Sequence, residues 1–206
     1  MGIDKVAVNR AVFLDRDGVL NRNVFNPATG EYESPGRPEE FEFVPDVFPS
    51  LCRLQAAGYF LFLVSNQPNF AKGKNSLEDL HAVQALVAAG LDKAGLNFTA
   101  FYYCFHHPKG IIPSHSGPCE CRKPSTYFLR KAEADFGISL SDSWMVGDRP
   151  TDIECGQNAG VRTIRVEEDH PATRAADEPQ ATFEAKGLSQ AVDLILSTPS
   201  RALLQQ

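Results

Sequence analysis

The chain has 206 residues, a length that fits one domain with room for an inserted subdomain. Its hydrophobic fraction of 43% supports a sizeable core, while its net charge of −6 argues against a nucleic-acid binder and, more weakly, against an anionic membrane surface. No apolar run reaches the roughly 18 residues a membrane helix needs. The opening MGIDKVAVNRAVFLD has an early acid and no long apolar stretch of a signal peptide. Gly2 suits an N-myristoyl site, but Val6 stands where Ser or Thr is required. The expectation is a soluble, cytoplasmic, monomeric protein of a single domain over 1–206, with no membrane or nucleic-acid partner.

In chain order, AVFLD (11–15) predicts a strand. DVFPSLCRLQAAG (46–58) predicts a helix with Asp46 as N-cap and Pro49 in the first turn. YFLFLVSN (59–66) is apolar until its last two residues, the look of a strand buried on both faces. Residues 76–95 predict a helix opened by a Ser76–Asp79 capping box and closed by Gly95. FTAFYYCF (98–105) predicts a third strand. STYFLRKAEADFG (125–137) predicts a helix capped by Ser125 or Thr126 and closed by Gly137. WMVGD (144–148) and VRTIRVE (161–167) predict strands flanking a short helix, and GLSQAVDLILS (187–197) a last helix. Strands alternating with helices imply a parallel, doubly wound, Rossmann-like α/β sheet, whose ligands bind outside the carboxyl ends of the strands. Asp15, Ser65–Asn66 and Asp148 all sit at such ends.

FLDRDGVLN places Asp15 and Asp17 one residue apart. Strand alternation puts i and i+2 on one face, so both carboxylates address one site with Arg16 turned away. Taken alone the pair is a polar turn, just as Ser65–Asn66 alone is an ordinary strand end, Lys123 a solvated lysine, and Asp148 or Asp152 a helix cap. Their joint placement at strand ends reverses that reading. Mg²⁺ suits hard oxygen ligands and takes a couple of carboxylates plus a phosphate, with Asp148 the natural third acid. Asp152, one turn on, reaches the metal through water or orients a lysine.

Of five cysteines, Cys52 and Cys155 fall in helical stretches, while Cys104, Cys119 and Cys121 cluster among histidines. With no secretion signal, that clustering reads as metal before disulfide. Cys104, His106, Cys119 and Cys121 make a closed, tetrahedral, structural zinc site that staples the Gly- and Pro-rich loop 104–121, in preference to free buried thiols. His107 competes with His106, and His115 is the less favoured third choice.

DRDGVLN, VSNQ, CRKP and VGDRPTD, in that order, resemble the four motifs of the haloacid dehalogenase superfamily. Their flanks resemble its subgroup of histidinol-phosphate and heptose-bisphosphate phosphatases, over residues 11 to 166. The resemblance implies a haloacid dehalogenase-like fold with a minimal cap. It makes Asp15 the nucleophile that forms an aspartyl-phosphate, and Asp17 the acid and then base. Ser65 and the backbone of Asn66 would hold phosphoryl oxygens, and Lys123 would offset negative charge. Asp15, Asp148 and the carbonyl of Asp17 would bind Mg²⁺. The heptose branch also carries the cysteine–histidine pattern.

The chain departs from that pattern at PNFAKG after SNQ, at Ser125-Thr126-Tyr127 after RKP, and in a long segment at 23–41. Asn69 stands for a Gly and suits a left-handed backbone; Lys72 stands for an Arg and loses its bidentate fork. All face the substrate. Expected substrate contacts are Asn66, Gln67, Lys72 and Arg122. The leading function is a Mg²⁺-dependent phosphatase of a small sugar phosphate, D-glycero-D-manno-heptose 1,7-bisphosphate. Histidinol phosphate is the alternative, for which Glu31, Tyr32 and Glu33 would suit an ammonium and an imidazole. A nucleic-acid end phosphatase and a non-catalytic zinc module rank lower, the latter because every catalytic aspartate is present.

Overall fold

Strand β1 (Ala11–Leu14) is the frame for everything else, because all four of its side chains are buried. It is followed by β2 (Val24–Asn26), β3 (Glu31–Glu33), α1 (Val47–Ala56), β4 (Phe60–Asn66), α2 (Leu77–Lys93), β5 (Phe98–Cys104), α3 (Tyr127–Phe136), β6 (Trp144–Gly147), α4 (Pro150–Ala159), β7 (Arg162–Val166), β8 (Phe183–Ala185) and α5 (Leu188–Ser197). The structure, a computed structural model, describes residues 8–167 and 177–200; the readings made on Gly2 and Val6 lie outside the described residues. No described helix is long and apolar enough to cross a membrane.

The main sheet runs β5-β4-β1-β6-β7-β8 and every pairing in it is parallel. Alternation along the strands divides the core. Val12, Leu14, Leu61, Leu63, Trp144 and Val146 pack on one face with α1, α2 and α5. Ala11, Phe13, Phe62, Val64 and Met145 pack on the other with α3 and α4. The near-continuous apolar runs are the consequence: a strand covered on both faces has no polar side. The doubly wound expectation is met, and the carboxyl ends of β1, β4 and β6 lie side by side.

Local signals explain most boundaries. Ser76 Oγ accepts from Asp79 N at 3.0 Å, and the Asp79 carboxylate accepts from Ser76 N, so the α2 box forms as expected. Gly137 closes α3 at φ +64°. Two expectations on backbone shape are corrected. Asp46 precedes α1 in the left-handed region, not the extended backbone of an ordinary N-cap, and makes no side-chain cap. Asn69 does not adopt the left-handed conformation; among the described residues Asp46 is the non-glycine residue that does. The long segment after β1 is the antiparallel hairpin β2–β3, and β8 extends the far edge of the sheet; neither was legible as a strand.

Candidate active site

The site is built on Lys123. It is 2% exposed, and its ammonium donates to the Val64 carbonyl at 2.6 Å while pairing with Asp15 Oδ1 at 2.9 Å and Asp152 Oδ1 at 2.6 Å. The ammonium thus hydrogen-bonds one carbonyl and forms ion pairs with two carboxylates. Burial works against the charge, but the carboxylates of Asp15 and Asp152 outweigh it and hold the ammonium above its ordinary range. Asp152 is the third residue of α4; its other oxygen, Oδ2, accepts from Arg149 N at 3.0 Å. Burial, with the Asp15 charge adding to it, pushes Asp152 up to about 6 against the pull of Lys123. Of the two sequence-based roles for Asp152, orienting the lysine is the one visible in the geometry.

Asp148, buried at the end of β6, completes a cluster with Asp15 and Asp152 in which one oxygen from each lies within 4.8 Å of the others. Two glycines make room for it. A Cβ on Gly18, where φ is +77°, would lie 2.3 Å from Asp148 Oδ2, and one on Gly147 would lie 2.3 Å from Asp152 Cβ and Cγ. Three buried carboxylates around one buried ammonium leave an excess of negative charge, the donor set a small divalent cation fits.

Asp17 sits beside this cluster, 5% exposed. Its carboxylate takes donors from Arg16, Asn21 and Gln67. Arg16 was expected to turn away; instead it is fully buried and folds back onto Asp17. Strand alternation stops at Leu14, and the amides of Leu20 and Asn21 both bond the Arg16 carbonyl in a tight turn, so the i, i+2 rule no longer applies there. Gln67, expected at the substrate, is also fully buried, with its amide spent on Asp17, Ser65 and Arg16. Asn66 clasps the backbone of Lys123 through both ends of its amide. Gln67 supports the site from within, while the half-buried Asn66 also reaches the cleft.

Above the acids lies a cleft of about 330 Å³. Asp15, Asp17, Asn66, Lys123 and Asp152 line it, with the hairpin residues 29–34, the 68–74 loop and Arg122 around them. Lys72 and Arg122 line it as expected. Lys74 and Arg149 line it as well and were not singled out, although Arg149 stands inside VGDRPTD. Burial first, then the charges of Lys74 and Arg122, push Lys72 down, while Glu33 pulls the other way. Glu33 binds Lys74 at 2.6 Å, and Asn69 donates weakly to Ser34 O at 3.5 Å, so hairpin and loop are tied together across the cleft. A second hollow, about 350 Å³, lies beyond Gly18 and Val19 and holds none of the acids.

Cys104, His106, Cys119 and Cys121 converge as the spacing predicts. Sulfur separations are 3.7 Å (104–119), 3.1 Å (104–121) and 3.8 Å (119–121), and all are free thiols. Zn–S bonds of about 2.3 Å at tetrahedral angles give edges of about 3.8 Å, so the donor set fits zinc. Burial pushes the Cys104 thiol up, a cost that a bound metal removes. His106 Nδ1 faces Cys121 at 3.6 Å, whereas His107 Nδ1 accepts from Lys109 N outside the cluster. The same loop reaches the cleft twice: Cys121 leads into Arg122 and Lys123, and the Ile111 and Ile112 amides donate to Ala71 O, beside Lys72.

Residues 120–191 match the HAD-hydrolase-like family model. A D-glycero-D-manno-heptose-1,7-bisphosphate 7-phosphatase of Thermosynechococcus vestitus is 39% identical over 164 residues, covering 76% of this chain and 78% of the relative. A D-glycero-beta-D-manno-heptose-1,7-bisphosphate 7-phosphatase of Haemophilus ducreyi is 33% identical over 187 residues, covering 90% and 96%. The crystal structure of D,D-heptose 1,7-bisphosphate phosphatase from B. bronchiseptica, complexed with magnesium and phosphate, shares the fold at TM-score 0.75 and 24% identity, covering 91% of this chain and 98% of that one. A parallel sheet with acids and a buried lysine at its carboxyl edge, joined to these likenesses, defines a phosphatase of the haloacid dehalogenase-like hydrolases. Within that class the chain belongs to the family of the heptose-bisphosphate phosphatases it matches.

Proposed function

We propose that the chain is a monomeric, cytoplasmic, single-domain enzyme that removes the 7-phosphate from D-glycero-D-manno-heptose 1,7-bisphosphate through an aspartyl-phosphate. The observation that carries the substrate class is the two-ended cleft. Acids and Lys123 lie on its floor, and Lys72 and Arg122 are gathered on its wall. A bisphosphate offers an anion to each end. The names of the relatives support the sugar and the position of the ester cleaved.

Asp15 and Asp148, with the carbonyl of Asp17, would hold Mg²⁺, which when bound supplies positive charge against the phosphoryl oxygens and the carboxylates. Lys123 keeps Asp15 fixed and offsets its charge, so that an anionic oxygen can approach an anionic ester. An Asp15 carboxylate oxygen attacks phosphorus, and the P–O bond to the sugar breaks. Asp17 gives its proton to the departing alkoxide, then takes one from the water that hydrolyses the acyl phosphate. Ser65, with the backbone N–H of Asn66, donates to phosphoryl oxygens. Zinc at Cys104, His106, Cys119 and Cys121 would keep Arg122, Lys123 and Lys72 in register.

Glu31 and Tyr32 also line the cleft, and an acid beside an aromatic ring suits the imidazole and ammonium of histidinol phosphate. The test is phosphate release with and without Mg²⁺, comparing kcat/KM on the two substrates. A tenfold advantage for histidinol phosphate, about 1.4 kcal/mol of transition-state preference, replaces the heptose reading. No Mg²⁺-dependent release from either overturns the enzyme as drawn.

A further inference from the structure

We propose that Arg16 and Gln67 form a buried clamp that orients the Asp17 carboxylate and leaves its Oδ2 as the oxygen that exchanges the proton. The inference rests on the phosphatase reading above, in which Asp17 is acid and then base, and it adds two positioning residues to that reading.

The clamp is closed on both sides. Arg16 Nε donates to Asp17 Oδ1 at 2.9 Å, Arg16 Nη2 lies 2.8 Å from the same oxygen, and Asn21 Nδ2 donates to it at 3.0 Å. Gln67 Nε2 donates to Asp17 Oδ2 at 2.6 Å. A carboxylate has about two lone-pair positions on each oxygen. Oδ1, which accepts two hydrogen bonds, has none to spare; Oδ2, which accepts one, keeps capacity for the reaction. Arg16 Nη2 also donates to Gln67 Oε1 at 2.9 Å, so the two clamping residues brace each other. Gln67 Nε2 reaches Ser65 Oγ at 2.9 Å as well. The group that moves the proton and the group that holds the phosphate are therefore tied to one amide.

Stability alone accounts poorly for this arrangement. A fully buried guanidinium is costly to desolvate, and well-packed apolar side chains in its place are often as stable or more so. Orientation accounts for it better. The carboxylate torsion of an aspartate is broad, and a proton must be delivered along a set direction to the departing oxygen.

The test exploits leaving-group chemistry. A sugar alkoxide needs a proton as it departs, whereas p-nitrophenolate leaves with little help. kcat/KM reports events up to transfer of the phosphoryl group to Asp15, and is measured for the heptose bisphosphate and for p-nitrophenyl phosphate. The variants are Gln67→Met, which keeps the volume without the donors, and Arg16→Lys, which keeps the charge without the fork. The expected result is a loss on the sugar ester at least about tenfold greater than on the aryl ester, within the 10²–10⁴ that proton transfer supplies, with Asp17→Asn showing the same bias more strongly. Equal losses on the two esters, or no loss, overturn the clamp. Should Gln67→Met fail to fold, the same ratio is read from Arg16→Lys and Gln67→Asn. If the wild-type protein hydrolyses neither ester, it is the phosphatase reading that fails, and the two failures are distinct.

Discussion

Asp152 should make the metal-free protein less stable as pH rises. Its carboxyl is buried and pushed up to about 6 by burial, against an ordinary value of 3.8. The folded state therefore holds the proton more tightly than the unfolded chain. The stabilisation is fully present below about pH 4 and drains away as pH rises toward and through 6. For one group raised in this way, the loss between pH 5 and pH 7.5 is on the order of 1 kcal/mol. In a chain of this length that is a fall of about 2–4 °C in Tm. The assay is thermal unfolding followed by circular dichroism at the two pH values. Mg²⁺ is removed by dialysis rather than by chelation, so that any zinc stays bound. Asp152→Asn separates this group from the histidines and from other acids: its pH dependence should be smaller by the stated amount. Adding Mg²⁺ to the wild type should also shrink the fall, because the cation binds the ionised carboxylates around it. Identical pH dependence in wild type and Asp152→Asn would refute the reasoning, and would place the excess negative charge elsewhere in the cluster.

Asp15→Asn should abolish phosphate release while leaving far-ultraviolet circular dichroism unchanged, since an amide is not a usable nucleophile. Lys123→Met should abolish activity and destabilise the metal-free protein by about 3–5 kcal/mol, because it leaves Asp15 and Asp152 buried without their shared cation; denaturant titration measures it. Cys119→Ser should lower zinc content from about one per chain, read by elemental analysis, and full occupancy after loss of both Cys119 and Cys121 would refute the ligand set. Arg122→Ala should raise KM for the bisphosphate more than for a matched monophosphate. Equal effects on both would remove Arg122 from the second phosphate.

Sequence and tertiary structure divided the work in a way that physical chemistry explains. Strand ends were legible because a strand covered on both faces must be apolar along its length. The first polar residue after AVFL, FLFLV or WMVG therefore marks where the chain leaves the apolar core for the site. The acid cluster and the cysteine–histidine set were legible because ligand chemistry restricts residue type and short spacing, whatever the fold. The choice of His106 over His107 was not, since adjacent residues differ only in the direction the backbone sends them. The hairpin β2–β3 escaped notice because its six paired residues lie at the surface and carry no apolar alternation that a core would impose. Arg16, Asn66 and Gln67 show the limit most sharply. Each is polar and stands next to a candidate site residue, so the sequence points them at substrate or solvent. Only the packed turn at Asp15–Gly18 and the meeting of β4 with the 121–124 segment decide that Arg16 and Gln67 face inward and that Asn66 holds the Lys123 backbone, because a buried carboxylate and a buried lysine backbone need donors and acceptors that residues distant in the chain must supply.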